Sequence, residues 1–275
     1  MDPTILTLPL VLAVVLVELA LGGTFVSWFL ERRGEAPGGF VKLVAGVDAI
    51  AGAAALGLAP TLPRGDAALR VGLNPGALSS LGQALALVAI LMTAQLAFTF
   101  VPARVLRNVG GILAIAAGLV ALSVATFART AQGPTDTFGL VLAFAVAPLG
   151  ALALGGLDGA MLLGHWYLVT PKLPTAPLRN ASLIVVTAVV LQLVVVLATV
   201  MRGDLSGTTQ TGLVVAIGIR IGVGLLMTLA VALAAWWTAR MNTQSSTGLL
   251  YVGLGSALAG EISARVLFFL TGAAV

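Results

Sequence analysis

The sequence predicts an all-α protein, a polytopic transmembrane helical bundle of about eight spans. Hydrophobic residues make up 59% of the 275 residues and charged residues only 9%, whereas a soluble domain carries about 25% charged residues. Apolar stretches of about 20 residues, the length that crosses the hydrocarbon core, recur eight times. Alternating polar and apolar strand patterns are absent, so the pattern favours helices over a membrane β-barrel.

The predicted spans follow one another closely, so we expect a single integral membrane domain over residues 1–275. The first span has no Lys or Arg before it and is too long for the apolar region of a signal peptide, so we expect it to be retained. The fifth is long enough for a tilted or kinked helix, with Pro148 as the predicted kink. The predicted spans are 5–30, 40–60, 79–101, 109–128, 138–169, 181–201, 212–239 and 248–273.

The basic residues of the loops predict the orientation. Seven lie after spans one, three, five and seven, and four lie on the other side. Basic loops stay in the cytoplasm, so we expect a protein of the cytoplasmic (inner) membrane with both termini outside, and we attribute the net charge of +4 to topology and not to nucleic-acid binding. The seven are Arg32, Arg33, Arg104, Arg107, Lys172, Arg179 and Arg240; the four are Arg64, Arg70, Arg129 and Arg202.

Composition excludes several cofactors and reactions. A chain without cysteine holds no iron–sulfur cluster, thiolate metal site, disulfide or covalently attached haem. Its one histidine, His165, excludes a bis-histidine haem, and with carboxylates scattered over separate spans we expect no metal site. Nucleophile elbows, phosphate-binding loops and dinucleotide fingerprints are also absent.

Six ionisable residues fall inside the predicted spans. Each costs at least about 2.5–3.5 kcal/mol near the bilayer centre, so each is a candidate functional residue. They are Glu18, Asp48, Asp158, Arg220, Glu261 and Arg265.

Four of these six are expected to form one polar cluster. Glu18 and Glu261 fall near mid-membrane, and Arg220 and Arg265 lie toward the outer side. Glu261 and Arg265 share a helical face at i,i+4, which fits a structural ion pair as well as a functional site. Arg220 cannot lose its charge, so it must face a carboxylate, a polar cavity or a ligand oxygen.

The segment "MLLGHWYLV" leaves two interpretations of His165 open. His165 follows Asp158 by seven residues, two helical turns, so the pair suits a proton step near the cytoplasmic end of span five. The competing interpretation is an interfacial belt, because Trp166 and Tyr167 adjoin the histidine and both residue types prefer the headgroup level.

At "GEISARVLFF" the sequence resembles the last span of membrane-anchor subunits of the dimethyl-sulfoxide-reductase type, and more loosely the polysulfide/nitrite-reductase anchors. The opening "LPLVLAVVLVELALGGTF" is similar to their first span. The resemblance implies a haem-free subunit that binds quinol near the outer face. It also implies electron transfer to an iron–sulfur partner, and it points to Glu261, Arg265 and, more weakly, Glu18.

Our leading hypothesis is therefore a quinone-interacting anchor subunit of a respiratory oxidoreductase complex. Menaquinone or ubiquinone is the expected substrate, and an iron–sulfur subunit and a catalytic subunit are the expected partners besides membrane lipid. Arg220 and Arg265 would bind the quinone carbonyl, while Glu261, Glu18, Asp158 and His165 would exchange protons. A proton-coupled secondary transporter and a membrane scaffold subunit, whose charges bind partner helices, remain alternatives.

Overall fold

In the computed structural model the chain is an all-α bundle. The structure describes residues 3–131, 136–170, 173–205 and 210–275, and this part contains no β-strand. Eight helical spans within it are long and apolar enough to cross a membrane. This confirms the predicted fold class, and the observed spans overlap all eight predicted ones.

The described residues contain ten α-helices: nine form the spans, and the short helix α3 lies in the loop after the second span. The helices are α1 (Pro3–Arg32), α2 (Gly38–Gly57), α3 (Asp66–Arg70), α4 (Pro75–Phe98), α5 (Arg104–Thr130), α6 (Thr137–Val169), α7 (Ala176–Met201), α8 (Thr211–Gly218), α9 (Thr228–Thr238) and α10 (Thr243–Thr271).

Two of these spans have internal features. Helix α6 runs without interruption through Pro148 to Val169, so the fifth span is one helix and not two half-spans. The seventh span is divided, because α8 and α9 are joined by a π-helical segment at Ile219–Met227. Such wider turns are rare and occur frequently at functional sites.

Local capping explains where several helices begin and end. The side chains of Asn74, Asp136 and Asn242 cap α4, α6 and α10 by accepting hydrogen bonds from backbone N–H groups of the first turn. Helix α10 ends at Gly272, whose φ of 84° is the left-handed conformation that glycine adopts without strain.

Helix α1 lies at the centre of the bundle, packed against α2, α5, α6, α7 and α10. Its contact with α6 depends on small residues: a Cβ atom on Gly155 would lie 2.6 Å from the Cα of Gly22, so neither glycine accepts a side chain. The outer helix surfaces carry exposed residues such as Ile50, Ile90 and Val105, as expected for surfaces facing lipid.

The two ends of the bundle differ in their number of basic loop residues, and both have ion pairs. We call the end where α1 begins and α10 ends the terminal face, and the other end the basic face. At the terminal face Arg202 pairs with both Asp136 and Asp204, at 2.7 Å and 3.0 Å. At the basic face Arg107 pairs with Glu31 at 2.6 Å.

Candidate functional site

Four buried ionisable side chains meet in the half of the bundle nearer the terminal face. Glu18 comes from the middle of α1, Arg220 from the π segment, and Glu261 and Arg265 from α10. All four are at most 1% exposed. We call these residues, together with Gln192 of α7, the charge cluster. The structure thus brings together the four residues that the sequence predicts in one cluster.

Glu261 is the most fully bonded member of the charge cluster. Arg220 Nη1 donates to Glu261 Oε1 at 2.9 Å, and Gln192 Nε2 donates to the same oxygen at 2.9 Å. Arg265 Nη2 donates to the other oxygen, Oε2, at 3.3 Å. The predicted i,i+4 pair therefore exists, but Glu261 also binds an arginine and a glutamine from two other spans.

Glu18 is held much less firmly than Glu261. Its Oε1 lies 3.0 Å from Arg265 Nε, yet neither oxygen of Glu18 has a hydrogen-bond partner. The contact is close enough for charge attraction, but its alignment does not form a hydrogen bond. Glu18 is therefore a buried carboxylate that has an ion pair with Arg265 but accepts no hydrogen bond.

Gly150 of α6 makes room for the two carboxylates. A Cβ atom at this position would lie 2.6 Å from Glu261 Oε2 and 3.1 Å from Glu18 Oε1. Both carboxylates therefore pack directly against the backbone of α6 at Gly150. Arg265 contacts the same helix, since its Nη2 donates to the carbonyl of Val146 at 3.4 Å.

The charge cluster retains unused donors and acceptors. Arg220 Nε and Nη2, and Gln192 Oε1, are buried without hydrogen-bond partners. Buried polar groups are normally paired, so these atoms indicate a site that also interacts with something other than this chain. The charges of the two arginines and two glutamates cancel. A ligand that both accepts and donates hydrogen bonds would pair with the unused donors of Arg220 and the unused acceptor of Gln192.

The seventh span separates the charge cluster from the outside of the bundle. It is the least buried of the eight spans, yet Arg220 within it is completely buried. Gly224 holds this span close to α10, because a Cβ atom on Gly224 would lie 3.4 Å from the carbonyl carbon of Gly260 and closer still to its Cα. The best-defined surface cavities of the described structure include five of about 250–690 Å³, and none of these five is lined by a cluster residue.

Asp158 does not belong to the charge cluster. It lies eight residues beyond Gly150 on α6, about 12 Å toward the basic face, where Asp48 of α2 is a second buried aspartate. Thr24 of α1 donates a hydrogen bond to Asp48 Oδ2 at 2.7 Å. Asp48 Oδ1 and Asp158 Oδ2 are buried without partners. We call Asp48 and Asp158 the carboxyl pair.

His165 lies at the basic-face end of α6 and is exposed. Its Nδ1 is 3.3 Å from the hydroxyl of Tyr251 on α10. Seven residues, about 10.5 Å of helix, separate it from the buried Asp158. The two residues that follow His165 are less accessible. Tyr167 is buried, and its hydroxyl donates to the carbonyl of Pro174. Trp166 packs against Gly39 at the start of α2. Trp166 and Tyr167 therefore pack within the protein, His165 is accessible, and both interpretations of His165 stay predictions.

Two members of the site were absent from the sequence prediction. Gln192 is not ionisable, so a search for intramembrane charges passes over it, although an amide in the run "VVLQLVVV" is a signal of its own. Gly150 carried no signal, because its importance depends on which helix faces it. Among the described residues, no group of three or more His, Cys, Asp or Glu is arranged to hold a metal ion.

No protein-family model, no curated protein and no solved structure matches this chain.

Proposed function

We propose that this chain is a haem-free membrane anchor subunit of a respiratory oxidoreductase, and that the charge cluster is its quinone site. In this proposal the chain lies in the cytoplasmic membrane with the terminal face outside. It carries no redox centre of its own, so quinol electrons pass to an iron–sulfur partner subunit. The subunit positions the quinone and handles its protons.

The unpaired hydrogen-bonding atoms of the charge cluster are the observation that carries the proposal. Arg220 offers two buried donors, Nε and Nη2, and Glu18 offers a carboxylate without hydrogen bonds. A quinone carbonyl is a hydrogen-bond acceptor, and a quinol hydroxyl is a donor that must lose its proton. The cluster supplies both the donors for a quinone carbonyl and the acceptor for a quinol hydroxyl within one fully buried site.

The chemistry requires two groups with different properties. Oxidation of quinol to quinone releases two electrons and two protons. Arginine keeps its charge, so Arg220 stabilises negative charge on the quinone oxygen throughout the reaction. Glu18 accepts a proton from the hydroxyl, because it is the cluster carboxylate whose oxygens are not engaged by hydrogen bonds. The seventh span covers Arg220 and is the segment that would have to shift to admit the headgroup from lipid.

The first experiment is purification of the tagged chain from native membranes in mild detergent, with mass spectrometry of proteins and lipids. A stoichiometric iron–sulfur subunit together with bound quinone supports the proposal. A lone or self-associated chain without quinone overturns it.

The second experiment measures quinone binding by the purified protein with a photoreactive quinone. Arg220→Gln removes two charged donors, each worth about 1.5–3 kcal/mol, so labelling should weaken at least about a hundredfold. Arg70→Gln, an exposed arginine of the terminal-face loop, is the matched control and should label like the wild type. Equal labelling of the wild type and Arg220→Gln would show that the charge cluster does not bind quinone.

A proton-coupled secondary transporter is the second candidate, and the π segment favours it. Gly218 and Gly222 flank Arg220 and have open space beside them, so this span has room to rearrange. The test is the internal pH of proteoliposomes that contain the protein but no substrate and no quinone. A change of internal pH when a membrane potential is imposed would favour transport. A scaffold subunit would instead fail to assemble with its partners when Glu261 is changed.

A further inference from the structure

We infer that a cavity at the basic face, where α1 ends and α5 begins, binds the phosphate headgroup of an anionic phospholipid. The cavity has a volume of about 320 Å³. It contains no residue of the charge cluster or the carboxyl pair, and the inference does not depend on the proposed function. The residues that line it are Trp28, Glu31, Arg32, Arg104, Val105 and Asn108.

Arg32 and Arg104 bring two positive charges to the cavity that no carboxylate of the described residues neutralises. Glu31 also lines the cavity, but Arg107 binds it at 2.6 Å. Arg32 lies 5.1 Å from the centre of the Trp28 ring, and Arg104 donates to the backbone carbonyl of Arg32 at 3.5 Å. Both guanidinium groups are exposed and keep donors for an anion, and their forked geometry suits a phosphate.

Trp28 forms a fixed wall of the cavity. Its Nε1 donates to Asn108 Oδ1 at 2.9 Å, and a Cβ atom on Gly111 of α5 would lie 2.7 Å from Trp28 Cδ1, so the ring packs closely against that helix. Because Asn108 accepts through Oδ1, its Nδ2 is a further donor beside the cavity. Tryptophan prefers the headgroup level of a bilayer, and both arginines lie at helix ends, so the cavity lies at the depth of lipid phosphates.

An apolar stripe on α5 continues from the cavity toward the middle of the bundle. Val105, Val109 and Ile112 are spaced by four and three residues, so they lie on one helical face. They are 73%, 46% and 43% exposed. A lipid whose phosphate lies between Arg32 and Arg104 has room for an acyl chain along this stripe. A free phosphate ion would leave the stripe unused, so the cavity and stripe together favour a phospholipid.

The charge of the cavity selects among phospholipids. Phosphatidylglycerol carries one negative phosphate and no cation, so it neutralises part of the charge of Arg32 and Arg104. Phosphatidylcholine brings a quaternary ammonium group of its own, which the two arginines repel. Basic pockets between transmembrane helices bind anionic headgroups for this reason.

Titration of the purified full-length protein with lipid in a neutral detergent, followed by native mass spectrometry, tests the site without quinone or partner subunits. The wild type should bind phosphatidylglycerol at least about tenfold more tightly than phosphatidylcholine. Arg32→Gln/Arg104→Gln should weaken phosphatidylglycerol binding roughly thirtyfold and leave phosphatidylcholine binding unchanged. Arg64→Gln/Arg70→Gln removes two exposed arginines of the terminal-face loop. It is the matched control and should bind like the wild type.

A charge-conserving variant separates phosphate recognition from a general loss of charge. Arg32→Lys/Arg104→Lys keeps both charges but loses the forked donors, so its affinity for phosphatidylglycerol should lie between those of the wild type and the glutamine variant.

Three results would overturn the lipid site. Equal affinity of the wild type for the two lipids would mean that the arginines do not select an anion. Equal phosphatidylglycerol affinity of the wild type and Arg32→Gln/Arg104→Gln would mean that the lipid binds elsewhere. Release of bound phosphatidylglycerol by an equimolar amount of inorganic phosphate would mean that the cavity takes free phosphate.

Discussion

Arg220 Nη1 and Glu261 Oε1 form an ion pair of 2.9 Å inside the bundle, although the residues are 41 positions apart. Glu261 also binds Arg265 and Gln192, so three side chains from three spans depend on this one carboxylate. Glu18 has no comparable hydrogen bonds. The two glutamates therefore have different roles: Glu261 holds the spans together, and Glu18 is the one available for proton exchange.

Exchanging each glutamate for glutamine should separate these roles. Glu261→Gln leaves Arg220 without its carboxylate, and breaking a buried ion pair costs about 3–5 kcal/mol; we expect a large drop in thermal stability in detergent. Glu18→Gln should keep most of the stability and lose quinol turnover. If Glu18→Gln proves the less stable variant, the assignment of roles is wrong.

Charge balance predicts that a second substitution rescues the first. Arg265→Gln leaves the cluster with two carboxylates and one arginine, and should destabilise the protein by about 3–5 kcal/mol. The double variant Arg265→Gln/Glu18→Gln restores neutrality and should recover most of that loss, as measured by thermal unfolding in one detergent. A double variant no more stable than Arg265→Gln would show that packing, and not charge, dominates.

Gly150 should not tolerate even one added methyl group. Gly150→Ala would place a Cβ atom 2.6 Å from Glu261 Oε2, so the carboxylates or helix α6 must move, and both stability and turnover should fall. Gly46→Ala is the matched control in α2, where the added methyl group meets nothing within 4 Å. Helix propensity predicts that this control is neutral or slightly stabilising. Equal effects of the two substitutions would contradict the assigned role of Gly150.

The sequence predicted the spans well because insertion into a membrane depends on length and apolarity, which are local properties. The predicted fifth span, 138–169, agrees with α6 at Thr137–Val169. The predicted sixth span began at 181, whereas α7 begins at Ala176. The missing turn contains Pro177 and Arg179, polar or helix-starting residues that an apolar window excludes.

The charge cluster was predicted in outline because buried charges must find one another. Arg220 and Arg265 keep their charges, so each must face a carboxylate or another acceptor, and Glu261 and Glu18 are the carboxylates that the sequence places at a similar depth. The carboxyl pair was not predicted, since nothing in the sequence shows that α2 packs against the part of α1 that faces Asp158. The π segment was also missed, because "IRIGVGLLM" has the composition of an ordinary membrane helix.

Acid should weaken the ion pair between Asp136 and Arg202 at the terminal face. Hydrogen bonds from Arg202 lower the pKa of Asp136 below its usual 3.8. Because the pKa of Asp136 is lower in the folded protein, ionised Asp136 stabilises the fold. This stabilisation is complete at pH values above the unfolded-state pKa and is lost as the pH falls through the folded-state pKa. The difference in melting temperature between the wild type and Asp136→Asn should therefore be constant above about pH 5 and shrink below pH 3.8.

Asparagine is a suitable replacement because it still caps α6 while losing the charge. Both side chains of this pair are partly exposed, so the effect should be small and should weaken in salt. A difference that grows as the pH falls would contradict the sign of this linkage.

The orientation can be tested directly because the chain contains no cysteine, so each single-cysteine variant has one reactive site. Met201 and Met241 form a matched pair: each is exposed at the end of a span, by 80% and 72%, one at the terminal face and one at the basic face. The positive-inside rule predicts that the basic face lies in the cytoplasm. A membrane-impermeant maleimide should therefore label Met201→Cys in intact spheroplasts and Met241→Cys only after permeabilisation. The reverse pattern would place the terminal face inside. The charge cluster would then lie nearer the cytoplasm.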